Sequence, residues 1–113
     1  MKHLLFIIIL ISLSGCHGPK DEKPADLIPE EQMIDILTDI HVADAIVDNK
    51  YGQQKVDLPL TNALYSQIYK NHKITAARYK SSYKYYEANP ELMDNIYTQV
   101  ITELSKKQAL LNK

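Results

Sequence analysis

The chain has 113 residues, enough for one small domain and no more. A formal net charge of −1 gives the molecule no strong pull toward nucleic acid or anionic lipid, and a single cysteine excludes an intrachain disulfide. There is no tryptophan, and the one phenylalanine, Phe6, sits at the N-terminus, so the eight tyrosines must supply the aromatic part of any core.

Lys2 and His3 precede an apolar run from Leu4 to Leu13. A positive start followed by such a run predicts a secretory signal peptide. The run is too short for a membrane-spanning helix, which needs roughly 20 apolar residues. The next segment, Leu13-Ser14-Gly15-Cys16, resembles the lipobox of bacterial lipoproteins. Small residues let a peptidase fit the backbone closely at the cut, and the cysteine sulfur takes a diacylglyceryl group. Residues 1–15 are therefore expected to be removed, and Cys16 to carry the lipid. One acyl chain of the palmitate type binds a bilayer marginally, whereas two or more anchor stably.

His17 stands where an aspartate would signal inner-membrane retention in enteric systems, which favours the outer membrane. Lys20-Asp21-Glu22 resembles the export signal of surface lipoproteins in the Bacteroidota, and also reads as a plain charged tether. The expected location is the outer membrane, at its periplasmic face or the cell surface. Residues 16–27, with Gly18, Pro19, Pro24 and several charges, read as the lipidated cysteine and a flexible tether to a domain over 28–113.

From Ile28 the pattern turns helical. Pro29 suits a first helical position, and Glu30 and Glu31 suit the positive end of a helix dipole. Met33, Ile36, Leu37, Ile40, Ala43 and Val47 make one apolar stripe, and Lys50-Tyr51-Gly52 predicts a stop. A second helix is expected from Asp57 or Leu58 to about His72, striped by Leu60, Leu64 and Ile68, with Ala63, Tyr65 and Tyr69 beside them. Thr75 predicts the cap of a third, carrying Ala76, Tyr79, Tyr83 and Tyr86 along one face. Asn89-Pro90-Glu91 predicts a fourth: a capping side chain, a proline at the first position, then an acid. It carries Met93, Ile96, Tyr97, Val100, Ile101 and Leu104 and is expected to fray among Lys106 and Lys107. No strand pattern or internal repeat is present, so the expected fold is all-α, a small bundle of about four helices.

The segments Leu27-Ile28-Pro29-Glu30-Glu31-Gln32-Met33 and Leu37-Thr38-Asp39-Ile40-His41 resemble a lipoprotein domain family of the Bacteroidota, domain of unknown function 4296. So do the run Tyr79 to Tyr86, Asn89-Pro90-Glu91 and Ile96-Tyr97. The likeness covers about Leu27 to Leu104 and lapses over Gln53 to Leu60. It implies an all-helical envelope lipoprotein and brings no established activity.

His41, Asp44 and Asp48 share one flank of the first helix. A histidine and two carboxylates can bind a divalent metal. A lone helix seldom completes such a site, and His72 is the only other imidazole in the domain, so no metal and no cofactor is expected. Asp44 points within the apolar stripe, where a carboxylate needs a donor or a cation. A tyrosine hydroxyl or Arg78 can supply it, giving a structural pair that fixes how the helix docks. Glu30, Glu31, Asp35, Asp39, Asp44 and Asp48 make the first helix acidic, while Lys70, Lys73, Arg78, Lys80 and Lys84 make the middle basic. Basic residues interleaved with tyrosines can bind single-stranded nucleic acid, but an exported protein has no occasion to meet it, so no nucleic acid partner is expected. A solvated face, complementarity between helices, or a docking patch for an acidic partner remain as readings.

Ser81-Ser82 has no neighbouring base, and the chain has three glycines and no glycine-rich turn, so no enzyme is expected. The function expected is a membrane-anchored lipoprotein with a small protein-interaction domain, an accessory subunit of an outer-membrane or surface complex. Its partners are membrane lipid through Cys16 and another envelope protein, the latter through Tyr79, Tyr83, Tyr86 and Tyr97, for each of which simple core packing is the more favoured reading. The alternatives are a periplasmic holdase for unfolded envelope proteins and, third, a small enzyme using His41 and its neighbouring acids.

Overall fold

A computed structural model describes residues 22–51 and 58–113. The leader, Cys16 and most of the tether lie outside the described residues, as do Gly52 and Asp57 at the expected junction of the first two helices. The described residues form four helices and no strand: α1 (Glu30–Tyr51), α2 (Leu58–Asn71), α3 (Ala76–Glu87) and α4 (Pro90–Leu111). The all-α expectation holds. No helix among the described residues is long and apolar enough to cross a membrane.

α1 is the centre of the fold. Pro29 sits just before it, and its carbonyl accepts the first helical bond from the Met33 amide. Glu30 and Glu31 then meet the positive end of the dipole and Lys50 the negative end. All six residues of its apolar stripe are buried, and five of them join Ile28, Ile68, Ile74, Tyr86, Ile96 and Val100 in one core. α2 returns antiparallel along α1: Tyr65, midway along it, reaches Asp44, while His72, just past its end, reaches Asp39. α4 packs on α1 with its start near the start of α1, Leu92 lying by Glu30 and Tyr97 by His41. α3 bridges the end of α2 to the start of α4.

Two turns fix this path. After α2, Lys73 takes a left-handed backbone with φ 55°. The Lys73 amide donates to the Lys70 carbonyl and the Ile74 amide to the Tyr69 carbonyl, a Schellman motif that satisfies two otherwise orphaned helix-end acceptors. Ile74 then enters the core. Between α3 and α4 only Ala88 and Asn89 intervene. Asn89 occupies the cap position, but its side chain makes no capping bond; Asn89 Nδ2 instead donates back to the Tyr85 carbonyl at 2.6 Å. The expected capping side chain thus closes α3 rather than opening α4. Thr75 does cap α3, its hydroxyl accepting from the Arg78 amide at 3.1 Å.

The chain before α1 departs from a free tether. The Leu27 amide donates to the Pro24 carbonyl, turning the chain, and Ile28 is fully buried. Both backbone groups of Ile28 are taken by α3. Its amide donates to Ser82 Oγ at 3.0 Å, and its carbonyl accepts from the Tyr86 hydroxyl at 2.6 Å. Arg78 Nε holds the Asp26 carbonyl at 2.7 Å. Among the described residues, contacts with α3 thus reach back to Asp26, ahead of Ile28. At the other end α4 does not fray at Lys106 but runs to Leu111, and Ile101, expected in its stripe, is 63% exposed.

Candidate functional site

The helices bring most of the tyrosines into one line of contacts. Tyr65 and Tyr69 of α2 meet edge to face with centroids 6.4 Å apart. Tyr69 stands 5.2 Å from Tyr79 of α3, and Tyr79 stands 5.9 Å from Tyr83. The hydroxyls of Tyr83 and Tyr97 lie 3.5 Å apart, linking α3 to α4. Tyr97 meets the ring of His41 on α1 at 6.0 Å, edge to face. On the same helix, Asp44 Oδ1 accepts from the Tyr65 hydroxyl at 2.7 Å. The line therefore leaves α1 at Asp44, passes through α2, α3 and α4, and returns to α1 at His41, one helical turn away. Each ring in it is half-buried.

Half-burial sets its chemistry. Desolvation, then the hydrogen bond to Asp44 and that carboxylate's charge, push the Tyr65 phenol well above its ordinary value. Tyr79 is also pushed well up by burial, and Tyr69 is raised for the same reason. Tyr97 is pushed up to about 12, chiefly by its hydrogen bond with Tyr83, then by burial and the charges of Tyr83 and Glu87. These phenols stay protonated near neutrality. They offer aromatic faces and O–H donors rather than nucleophiles or bases.

At the α3–α4 corner the belt opens into a cleft of about 410 Å³, lined by Tyr83, Glu87, Pro90, Met93, Asp94 and Tyr97. Helical spacing makes it. Tyr83 and Glu87 lie four residues apart on α3, and Pro90, Met93, Asp94 and Tyr97 follow one face of α4. A second hollow lies on the far side of the same corner, between the docked N-terminal segment and Tyr85, Tyr86 and Leu92.

The residues singled out from sequence separate accordingly. His41, Asp44, Tyr79, Tyr83 and Tyr97 share the belt. Asp48 is exposed and takes no part in it. Arg78 is not the partner of Asp44; Tyr65 is, because α2 runs alongside α1 there while Arg78 is turned to the Asp26 carbonyl. Tyr86 is not a contact residue: it is 2% exposed, one of the core side chains that hold Ile28. His41, Asp44 and Asp48 form no cluster, and among the described residues no three His, Cys, Asp or Glu side chains could hold a metal ion. Lys70, Lys73 and Lys80 are exposed, a solvated face, while the acidic flank of α1 meets α2 through Asp39 and His72 Nε2, 2.8 Å apart. Cys16 lies outside the described residues.

Sequence reasoning missed Tyr65 and Tyr69 as belt members, Ser82 as a core ligand for backbone, and Glu87 and Asp94 as rim charges. For the last pair the signal was present. Glu87 is four residues after Tyr83, and Asp94 is three before Tyr97.

An all-α domain of four helices around one central helix, belted by tyrosines, is the class these observations define. Residues 24–109 match the family described as Domain of unknown function (DUF4296), and the chain belongs to that family. The matched stretch begins at Pro24, where the chain turns onto α3. No curated protein and no solved structure shows significant similarity to the chain.

Proposed function

We propose that the chain is a membrane-anchored lipoprotein of the bacterial envelope whose helical domain binds another protein, as an accessory subunit of an outer-membrane or surface complex. The anchor rests on the leader and on Leu13-Ser14-Gly15-Cys16. The Bacteroidota surface-export reading rests on Lys20-Asp21-Glu22.

The observation that carries the interaction reading is the half-buried tyrosine belt with the cleft at its α3–α4 end. Aromatic rings with one polar tip and one accessible face are the side chains protein interfaces favour, because they add large contact area and lose few rotamers. Their hydroxyls offer hydrogen bonds, and the charges beside them are confined to Asp44 and to Glu87 and Asp94 at the cleft. The belt's protonated phenols offer no activated base or nucleophile, which supports a binding role over a catalytic one.

Mild crosslinking in native membranes tests this, with mass spectrometry of the purified chain. The expected result is one stoichiometric partner and a diacylated Cys16 as the first residue. Recovery of monomer alone under several conditions overturns the interaction reading, and an intact leader with a free thiol overturns the anchor. Suppressed aggregation of several unrelated clients, without a stoichiometric partner, would favour the holdase.

A further inference from the structure

We propose that the α3–α4 cleft receives a basic side chain, an arginine or lysine, presented by the protein partner. This inference rests on the interaction reading above and names the chemistry of the contact. The walls are Tyr83, Tyr97, Met93 and Pro90, and the rim carries Glu87 and Asp94, one from each helix. Both rim carboxylates are exposed, and among the described residues neither forms an ion pair. No lysine or arginine lines the cleft.

Two exposed carboxylates lining one aromatic hollow attract a cation to it. The apolar stem of arginine or lysine suits Met93 and Pro90, and its charged head suits the ring faces and the carboxylates. Arginine fits best, because its flat guanidinium stacks on a ring while its edges donate to carboxylates. A neutral apolar side chain would leave both rim charges beside an oily surface without a counter-charge, and an acidic one would add a third negative charge. Of the molecule's own basic residues Lys70, Lys73, Arg78, Lys80 and Lys84, none lines the cleft.

The chain has three methionines, of which Met93 lines the cleft and Met33 is fully buried in the core. Methyl NMR of the full chain therefore reads the site and the fold at once. The probes are a short acetylated peptide with one arginine and the same peptide with uncharged, isosteric citrulline. The expected result is a saturable shift of the Met93 methyl and the Tyr83 and Tyr97 ring signals with the arginine peptide, while Met33 stays still. Binding should weaken about tenfold or more with citrulline, and equally in a Glu87→Gln/Asp94→Asn chain whose Met33 signal is unchanged. Equal binding of both peptides, no movement of Met93 at millimolar arginine peptide, or shifts that survive the double substitution would overturn the assignment. If the double variant keeps its crosslinked partner in membranes, the cleft assignment fails and the broader interaction reading stands. If the wild-type chain captures no partner, the broader reading fails by itself.

Discussion

Ser82 shows how one polar residue can decide a fold. It is fully buried inside a helix whose other buried member is Tyr86, and its hydroxyl accepts the Ile28 amide from 54 residues away. Removing it strands a buried amide, and a stranded donor costs about 1–3 kcal/mol. Ser82→Ala is expected to lower stability by that amount in urea unfolding, and Tyr86→Phe, which strands the Ile28 carbonyl, by a similar amount. The two losses should not add, because both bonds serve one residue and are lost together once the segment lifts off α3. Lys73 is the opposite case. A side chain bearing Cβ is held at φ 55°, where glycine is at no disadvantage, so Lys73→Gly should raise the unfolding midpoint, a gain of about 1 kcal/mol.

Among the elements, α1 was the most legible from sequence and α3 the least. A helix of 22 residues shows its buried stripe by spacing alone, and Met33, Ile36, Leu37, Ile40, Ala43 and Val47 are all buried as expected. In α3 the tyrosines at 79, 83 and 86 share a face with Ser82, and spacing cannot tell which of them goes to the core. That choice is made by Ile28, which reaches α3 only after the chain has folded back. Asn89 was misread for a related reason: the residue type predicts a cap, but the nearby Tyr85 carbonyl takes its side chain. The belt itself joins four helices through contacts up to 56 residues apart in sequence, His41 to Tyr97 at the extreme, and no local pattern encodes such closure.

The belt also sets the alkaline behaviour of the packed helices. The folded chain holds protons on Tyr65, Tyr69, Tyr79, Tyr86 and Tyr97 above the ordinary value of 10.0, with Tyr97 near 12. The unfolded chain releases them near 10, so above that pH it binds fewer protons than the folded chain. The stability these five phenols contribute should be full below pH 10 and be lost as pH rises from 10 through 12. The ring signals of Tyr65, Tyr79 and Tyr97 and the helical circular dichroism, followed together, should change in one cooperative step. Titration of these three rings at pH 10 with the helices intact would contradict the burial described.

At the scale of the whole molecule, a small domain arranges several of its few aromatic residues as a half-buried circuit packed against its core. Among the described tyrosines only Tyr86 is fully buried. On the function proposed above, the accessible edges of Tyr83 and Tyr97 lie against another protein in the envelope. Hydroxyl-radical footprinting of the chain in native membranes, set against the purified monomer, measures this directly. Tyr83 and Tyr97 should be labelled in the monomer and protected in membranes, while Tyr86 stays unlabelled in both. Equal labelling of Tyr83 and Tyr97 in the two preparations would contradict the account.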